Sequence, residues 1–403
     1  MQLLFYRYNF LFRINIVLLI LLPILSLSAQ QKSGEKKYKA IDISDFYDCS
    51  HHWYDIYDTD KVINAVPNQP RYSTEQITRI ADNILLYQKV NGGWPKNYDM
   101  LAILSDKQKD SLRNVKGILN TTFDNGSTHS HIEYLATVYT VVKENKYKEA
   151  CLKGIDFILS AQYPNGGWPQ FFPDTVGYAK YITINDGVFA GIMTVLDKIK
   201  NEATNYSFVD NARREKAKIA FKKGLECLLI CQIKENGILY AWCQKHDNID
   251  LHPQWARAFE PPSICNEESA GVVKLLMNIK NPSKEVINSI QNAVQWFAES
   301  KILNTRVKRI SAPTVRYKWR TSNFDRVVVN DPKAPPIWTR YYELKTHKPL
   351  FCNRDKKPVY SLAEVDRERR SGYGWYTYDP QEILDKYPQW QKKWATDLNV
   401  LAK

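Results

Sequence analysis

Apolar residues recur at three- and four-residue spacing through most of the span from 73 to 302, the pattern of amphipathic helices packed on one another. In "STEQITRIADNILLYQ" Ile77, Ile80, Ala81, Ile84 and Leu85 form one stripe, and Ser73 with Gln76 is placed as a capping box. The same spacing predicts further helices over about 129–144, 147–162, 186–200, 211–232, 267–279 and 283–300. The links between them alternate in length: short at 144–147, 200–211 and 279–283, long over 88–129, 162–186 and 232–267. Antiparallel neighbours then gather every long loop at one end of the bundle. Loops of that length are uncommon in a compact chain unless they carry function.

A repeat runs through the same region. "NGGWP" occurs at 91–95 and again at 165–169, and Trp94, Trp168 and Trp242 stand 74 residues apart each time, one helical hairpin with its loops. In the first two copies a glutamine, Gln88 or Gln162, precedes the Asn by three residues. The expected architecture is a ring of helical hairpins, an incomplete α/α toroid, with Gly-Gly as helix stop and Trp-Pro as a rigid wall. A tryptophan on such a rim either stacks on a sugar ring or plugs the gap between hairpins; the repeat spacing favours the plug.

Beyond 302 the pattern changes. "DRVVVND", "IWTRYYEL" and "PLFCN" are β-branched and aromatic and are punctuated by Pro, Asn and Asp, so a smaller β-rich region is expected over 303–403. An amphipathic helix at about 381–396 closes it. At the other end, Arg7 and Arg13 precede the apolar run 14–25 and the small residues of "SLSA", which predicts a signal peptide over 1–29 and a polar N-terminal segment over 30–72. An uncleaved membrane anchor is the competing reading of 1–29, against which the shortness of the run counts.

Charge narrows the partner. Removing Arg7 and Arg13 leaves 54 basic against 43 acidic residues, a net +11, so a polyanion is a natural ligand. An exported chain without a long Lys/Arg run or a recognised nucleic-acid module points to an acidic polysaccharide, the bland alternative being a solvated basic surface. The seven cysteines (49, 151, 227, 231, 243, 265 and 352) are odd in number and scattered, against a complete disulfide framework; Cys227 and Cys231 share a helix face within possible reach of Cys243.

The candidate chemistry lies in the long loops. "TTFDNGSTHSH" (121–131), "YITINDGVF" (181–189) and "ARAFEPPSICNEES" (256–269) each precede an expected helix at the same end of the ring. Asp124, Asn125, Asn185 and Asp186 offer the hard oxygens that Ca²⁺ takes. Singly, each is as readily a helix cap or turn residue; together at one rim they suggest a site. His129 and His131, with His51, His52, His246 or His252, lack any zinc-ligand spacing and are expected to cap helices or face solvent.

"TFDNGST", "AQYPNGGWPQFFP", "ITINDG", "ARAFEPPS" with "NEESAGVVKLLM", "RYYEL" and "GYGWY" resemble, in order and over roughly residues 70–380, the pectate lyases of polysaccharide lyase family 10. The resemblance implies an incomplete α/α toroid with a β-rich region, acting on de-esterified polygalacturonate by calcium-assisted β-elimination. It implies Asp124 and Asp186 at the Ca²⁺ and substrate centre and Arg257 as the base. It also implies substrate contacts from Asp124, Asn125, Arg326 and Arg340. A free guanidinium is almost always protonated, so Arg257 has an alternative as a carboxylate clamp, bonded to substrate or to Glu260. The chain departs from the family pattern at His129, His131 and Glu133, where an altered subsite or pH profile is one consequence. The expected partner is polygalacturonate, with no nucleic acid and no membrane once the signal is removed, acting as a secreted or periplasmic monomer. Two other readings stay open: an inverting glycoside hydrolase using Asp124 and Asp186 as acid and base, and a non-catalytic pectin-binding protein.

Overall fold

The apolar stripes fold as helices whose ends differ from the expected ones by a few residues. In the computed structural model, which describes residues 38–55 and 61–402, they are α2 (Ile77–Tyr87), α4 (His129–Val142), α5 (Asn145–Ala161), α6 (Val188–Lys200), α7 (Asn211–Cys231), α8 (Asn266–Met277) and α9 (Lys284–Ser300), with α11 (Asp379–Trp394) closing the chain. The signal peptide expected over 1–29 lies outside the described residues. Ser73 does not cap α2; it exchanges hydrogen bonds with Gln76 in a turn ahead of it.

Three helices carry no legible stripe. α3 (Asp106–Asn114) is polar nearly all round, buries only Leu112, and is held by a Ser105–Gln108 capping box. α10 (Arg367–Gly372) is a turn and a half of basic chain. α1 (Tyr47–Asp55) lies in the polar N-terminal segment, yet Phe46, Cys49 and Trp53 there are buried.

The helices form two rows. α2, α5, α7 and α9 follow one another in the outer row, and α4, α6 and α8 in the inner, with each inner helix packed on the outer helix after it. This is the helical toroid, and the short links lie at one end of it. α6 is apolar on most sides because it is enclosed by α4, α7 and α8.

The repeated motif locks successive hairpins. Trp94, Trp168 and Trp242 are fully buried, and their indole N–H groups donate to Ile84, Ile158 and Leu228 carbonyls at 2.8, 3.0 and 2.7 Å. They are plugs, not rim platforms. Gln88 bridges its own loop to the carbonyl of Ala150 on α5, Gln162 does the same to Ala220 on α7, and Gln232 to Ser289 on α9, each at 2.9–3.0 Å. Gln232 is thus the third copy, hidden because the spacing to its tryptophan is longer. Gly92 and Gly166 have φ of +92° and +94°, and a Cβ there would stand 2.3 and 2.1 Å from main-chain oxygens of α5 and α7. The seven cysteines are buried free thiols, so Cys227, Cys231 and Cys243 form no bridge.

The β-rich region is built from short pieces and one long hairpin. Thr305–Arg316 pairs with Thr321–Asn330; only the second strand was legible, because the first is a largely exposed alternation with four basic residues. "IWTRYYEL" splits into Trp338–Thr339, paired with Tyr376–Thr377, and Tyr341–Tyr342, which pairs with Pro349–Cys352 and with Ile264–Cys265 just before α8. The β-rich region is therefore stitched to the inner row at the long-loop end.

Candidate active site

Two inner helices are entered through matching turns. Asp124-Asn125-Gly126 leads into α4 and Asn185-Asp186-Gly187 into α6, and in both the middle residue is left-handed, at φ 52° and 53°. Asn and Asp tolerate that region better than most residues, and the following Gly is also at positive φ. The acid is first in one turn and middle in the other, and the two turns pack together. The third inner helix begins Asn266-Glu267-Glu268.

The tryptophan repeat delivers the floor of this site. The amides of Thr122, Thr183 and Cys265, each just ahead of an inner helix, donate to the carbonyls of Trp94, Trp168 and Trp242 at 2.8–3.0 Å. Two residues after each tryptophan stand Lys96, Gln170 and Gln244. Lys96 forms an ion pair with Asp124. Gln170 accepts from the Lys245 ammonium at 2.8 Å, and Gln244 accepts from the Tyr341 hydroxyl at 2.9 Å. Sequence reasoning assigned the repeat to architecture and missed these side chains; the common offset from tryptophan was the signal.

Electrostatics divide the carboxylates. Burial raises the Asp124 carboxyl, but the Lys96 ammonium outweighs it and holds the group below the ordinary range. Asp186 goes the other way: burial, then the neighbouring Asp124 charge, push it well above that range, with Arg340 and Arg257 opposing. Lys245 is fully buried, bonded to Gln170 and to Thr183 at 2.7 Å, and burial lowers its ammonium to about 7.

The arginine side of the site is built on "ARAFE". Arg257 meets Glu260 through Nε at 2.8 Å and Nη2 at 2.5 Å, and its own amide donates to the same carboxylate at 2.8 Å. Glu260 also accepts from the Tyr373 hydroxyl at 2.7 Å. Burial raises Glu260, yet Arg257 brings it down to about 2; burial disfavours the Arg257 charge, yet Glu260 holds that guanidinium well above its ordinary value. Arg340 is placed by main-chain bonds to Trp375 and Asn266, pairs with Glu268, and lies 3.3 Å from Glu267. Burial raises the Glu267 carboxyl to about 8.

Four of the expected residues therefore share one electrostatic centre: Asp124, Asp186, Arg257 and Arg340. Arg326 stands apart on the long hairpin, where it donates to the Tyr373 carbonyl at 2.7 Å. Asn125 turns its amide to Asn97 at 2.9 Å and His52 at 3.1 Å, so it braces the turn from the α1 side. His131 is buried against Trp94, with its ring closing a capping box on Thr128, and His129 is half-buried beside Gly191. Glu133 pairs with Lys198 at 2.7 Å. The departure at 129–133 thus takes part in the packing of α4.

A hard cation suits part of this set. Asp124 Oδ1 and Asn185 Oδ1 are buried oxygens without a partner, beside a pair of carboxylates whose mutual repulsion a divalent ion would relieve. Among the described residues no group of three His, Cys, Asp or Glu side chains forms a ready cage. Two carboxylates and an amide oxygen leave most of the six to eight oxygens that Ca²⁺ takes to substrate and water.

A family model described as pectic acid lyase matches residues 88–384. Among solved structures, the family 10 polysaccharide lyase from Cellvibrio cellulosa is similar at TM-score 0.66 and 29% identity, covering 78% of this chain and 91% of that one. An aspartate-to-alanine mutant of the same lyase, in complex with trigalacturonic acid, is similar at the same score and identity, covering 78% of this chain and 92% of that one. A search of curated proteins returns no match.

Proposed function

The chain belongs to the pectic acid lyase family, and from that premise we propose that it cleaves de-esterified polygalacturonate by β-elimination at the Asp124–Asp186 centre. Membership makes it a polysaccharide lyase and sets aside the inverting hydrolase and the non-catalytic binder. The observation that carries the substrate reading is a carboxylate pair, Asp124 buried and Asp186 half-buried, faced by two arginines, Arg257 and Arg340, in a chain of net positive charge. The trigalacturonic acid complex of the similar lyase supports it.

Elimination requires a proton to leave C5 of a galacturonate, next to its carboxylate; the C5–H electrons form the C4–C5 double bond and the C4–O bond breaks. Calcium held by Asp124 and Asp186, with Asn185 contributing a neutral oxygen, would withdraw charge from that carboxylate and acidify the proton. Arg340, whose Nε has no partner, would bind a uronate carboxylate, and Lys96 and Lys245 balance the acids behind it. Arg257 takes the proton. The departing O4 receives one from solvent. Glu260 orients Arg257 but also favours its charged form, so the base is ready only at alkaline pH or with a cation beside it. The polar break after residues 1–29 supports export; among the described residues no helix is long and apolar enough to cross a membrane.

Product detection tests the reading. The purified protein with polygalacturonate, Ca²⁺ and alkaline buffer should release unsaturated, ultraviolet-absorbing ends, and chelator should stop it. Reducing ends without absorbance, or absorbance indifferent to chelator, would refute the mechanism.

A further inference from the structure

The loop between Trp168 and the Asn185-Asp186-Gly187 turn carries a side chain that the elimination so far leaves unused. A short 3₁₀ turn, Gly177–Lys180, holds Tyr178. Its backbone is pinned to the floor of the site: the Gln170 amide donates to the Ala179 carbonyl at 2.9 Å, and the Tyr163 hydroxyl donates to the Lys180 carbonyl at 2.8 Å. The Tyr178 ring centre stands 5.7 Å from the Lys245 ammonium, yet the residue remains exposed at 39%.

The charges that act on the phenol describe its surroundings. Burial disfavours its ionisation, Arg257 and Lys96 then favour it, and Asp124 and Glu260 oppose it. The phenol therefore stands in the field of both sides of the centre, the arginine side and the acid pair. Among the described residues its hydroxyl makes no hydrogen bond. The other tyrosines there are committed: Tyr341 donates to Gln244 at 2.9 Å and is bonded to Tyr373, which donates to Glu260 at 2.7 Å.

Elimination needs an acid as well as a base. The C5–H and C4–O bonds of a galacturonate lie on opposite faces of the ring, so a group placed to take the C5 proton is on the wrong side to supply the one that O4 needs. Other protons of the centre are ill placed or are lost too early. Lys96 is paired with Asp124, and Lys245 is buried against Gln170 and Thr183. Glu267, raised to about 8, is ionised in the alkaline range where Arg257 becomes a base. A phenol held above its ordinary value keeps its proton there. We propose that Tyr178 is the catalytic acid, its hydroxyl donating a proton to the bridging oxygen as the C4–O bond breaks. The electrons of that bond stay on the oxygen, which leaves as the new reducing-end hydroxyl, and solvent reprotonates the phenolate. The solvent proton thus reaches O4 by way of Tyr178. Arg257 and Lys96 favour the transient phenolate. The acid rests on the lyase reading, and the test separates the two.

Tyr178→Phe keeps the ring and removes the proton. On polygalacturonate with Ca²⁺ it should lower kcat by about 10²–10⁴, the range for a lost general acid, with KM little changed. A methyl galactosiduronate carrying fluorine at C4, whose fluoride leaves without a proton, should be eliminated equally well by the variant and the unmodified protein. A polymer kcat within about tenfold of the unmodified protein, or an equal loss on polymer and fluoride, would overturn the acid. If the fluoride is inert with both proteins, the polymer decides: kcat lost with KM retained supports the acid, and KM raised with kcat retained makes Tyr178 a binding platform and overturns it. An unmodified protein that forms no unsaturated product removes the lyase reading; product formation indifferent to Tyr178→Phe removes the acid alone.

Discussion

Arg257 and Glu260 form a two-pronged ion pair, Nε and Nη2 of one side chain against both oxygens of the other, three residues along the chain. The guanidinium is therefore held in a fixed plane and in its charged form, and its side chain remains about half exposed at 48%. Orientation and basicity are set against each other in one contact.

The pH–rate profile reads that conflict. Arg257→Ala should lower kcat by roughly 10²–10⁴, the range for a lost general base. Glu260→Gln removes the charge that keeps Arg257 protonated, so the alkaline limb of the profile should move to lower pH even if the peak rate falls. A limb that stays in place would mean that Arg257 serves as a clamp only.

The site also shapes stability against pH in chelator. Asp186 is raised from 3.8 to about 7, so between those values the native state holds a proton that the unfolded chain has released, and stability falls as pH rises. Lys245 is lowered from 10.5 to about 7, so above neutrality the unfolded chain keeps a proton that the native state has lost, and stability rises again. Asp124 and Glu260, both held low, act only in acid, below about pH 4. Melting temperature should carry falling contributions from Asp186 and from Glu267, raised to about 8, and rising ones from His129 and His246, lowered to about 4, in acid and from Lys245 above neutrality. Asp186→Asn should flatten the falling limb and Lys245→Met the rising one, as differential scanning calorimetry would show.

Close approach between hairpins makes Gly166 a sharp probe of the fold. Gly166→Ala combines a φ of +94° with a Cβ 2.1 Å from the Lys223 oxygen, and should cost at least ~2 kcal/mol. Gly117, with nothing within 4 Å, should accept Ala within ~0.5 kcal/mol. Urea denaturation compares the two.

The tryptophans offer a separate check. Trp168→Phe loses the indole bond to Ile158 and should cost about 1–3 kcal/mol while leaving KM for polygalacturonate unchanged. A raised KM in folded protein would return the side chain to a sugar-stacking role.

By itself the chain's pattern determined the helices of both rows, the alternation of short and long links, and hence the end of the toroid that carries Asp124, Asp186 and Arg257. Those features are local or periodic, and a sequence displays them directly. Only the tertiary structure decided which neighbours each group meets. Lys96, Gln170 and Gln244 become a floor because three tryptophan plugs hold their strands side by side. Lys245 enters through burial, a property of the assembled core. Asn125 and Asp124 are adjacent in sequence, yet the left-handed turn sends one to α1 and the other to Lys96. The Arg309–Arg326 pairing depends on strand register, and the first strand of that hairpin, exposed and basic, carries no apolar signal from which the register could be read.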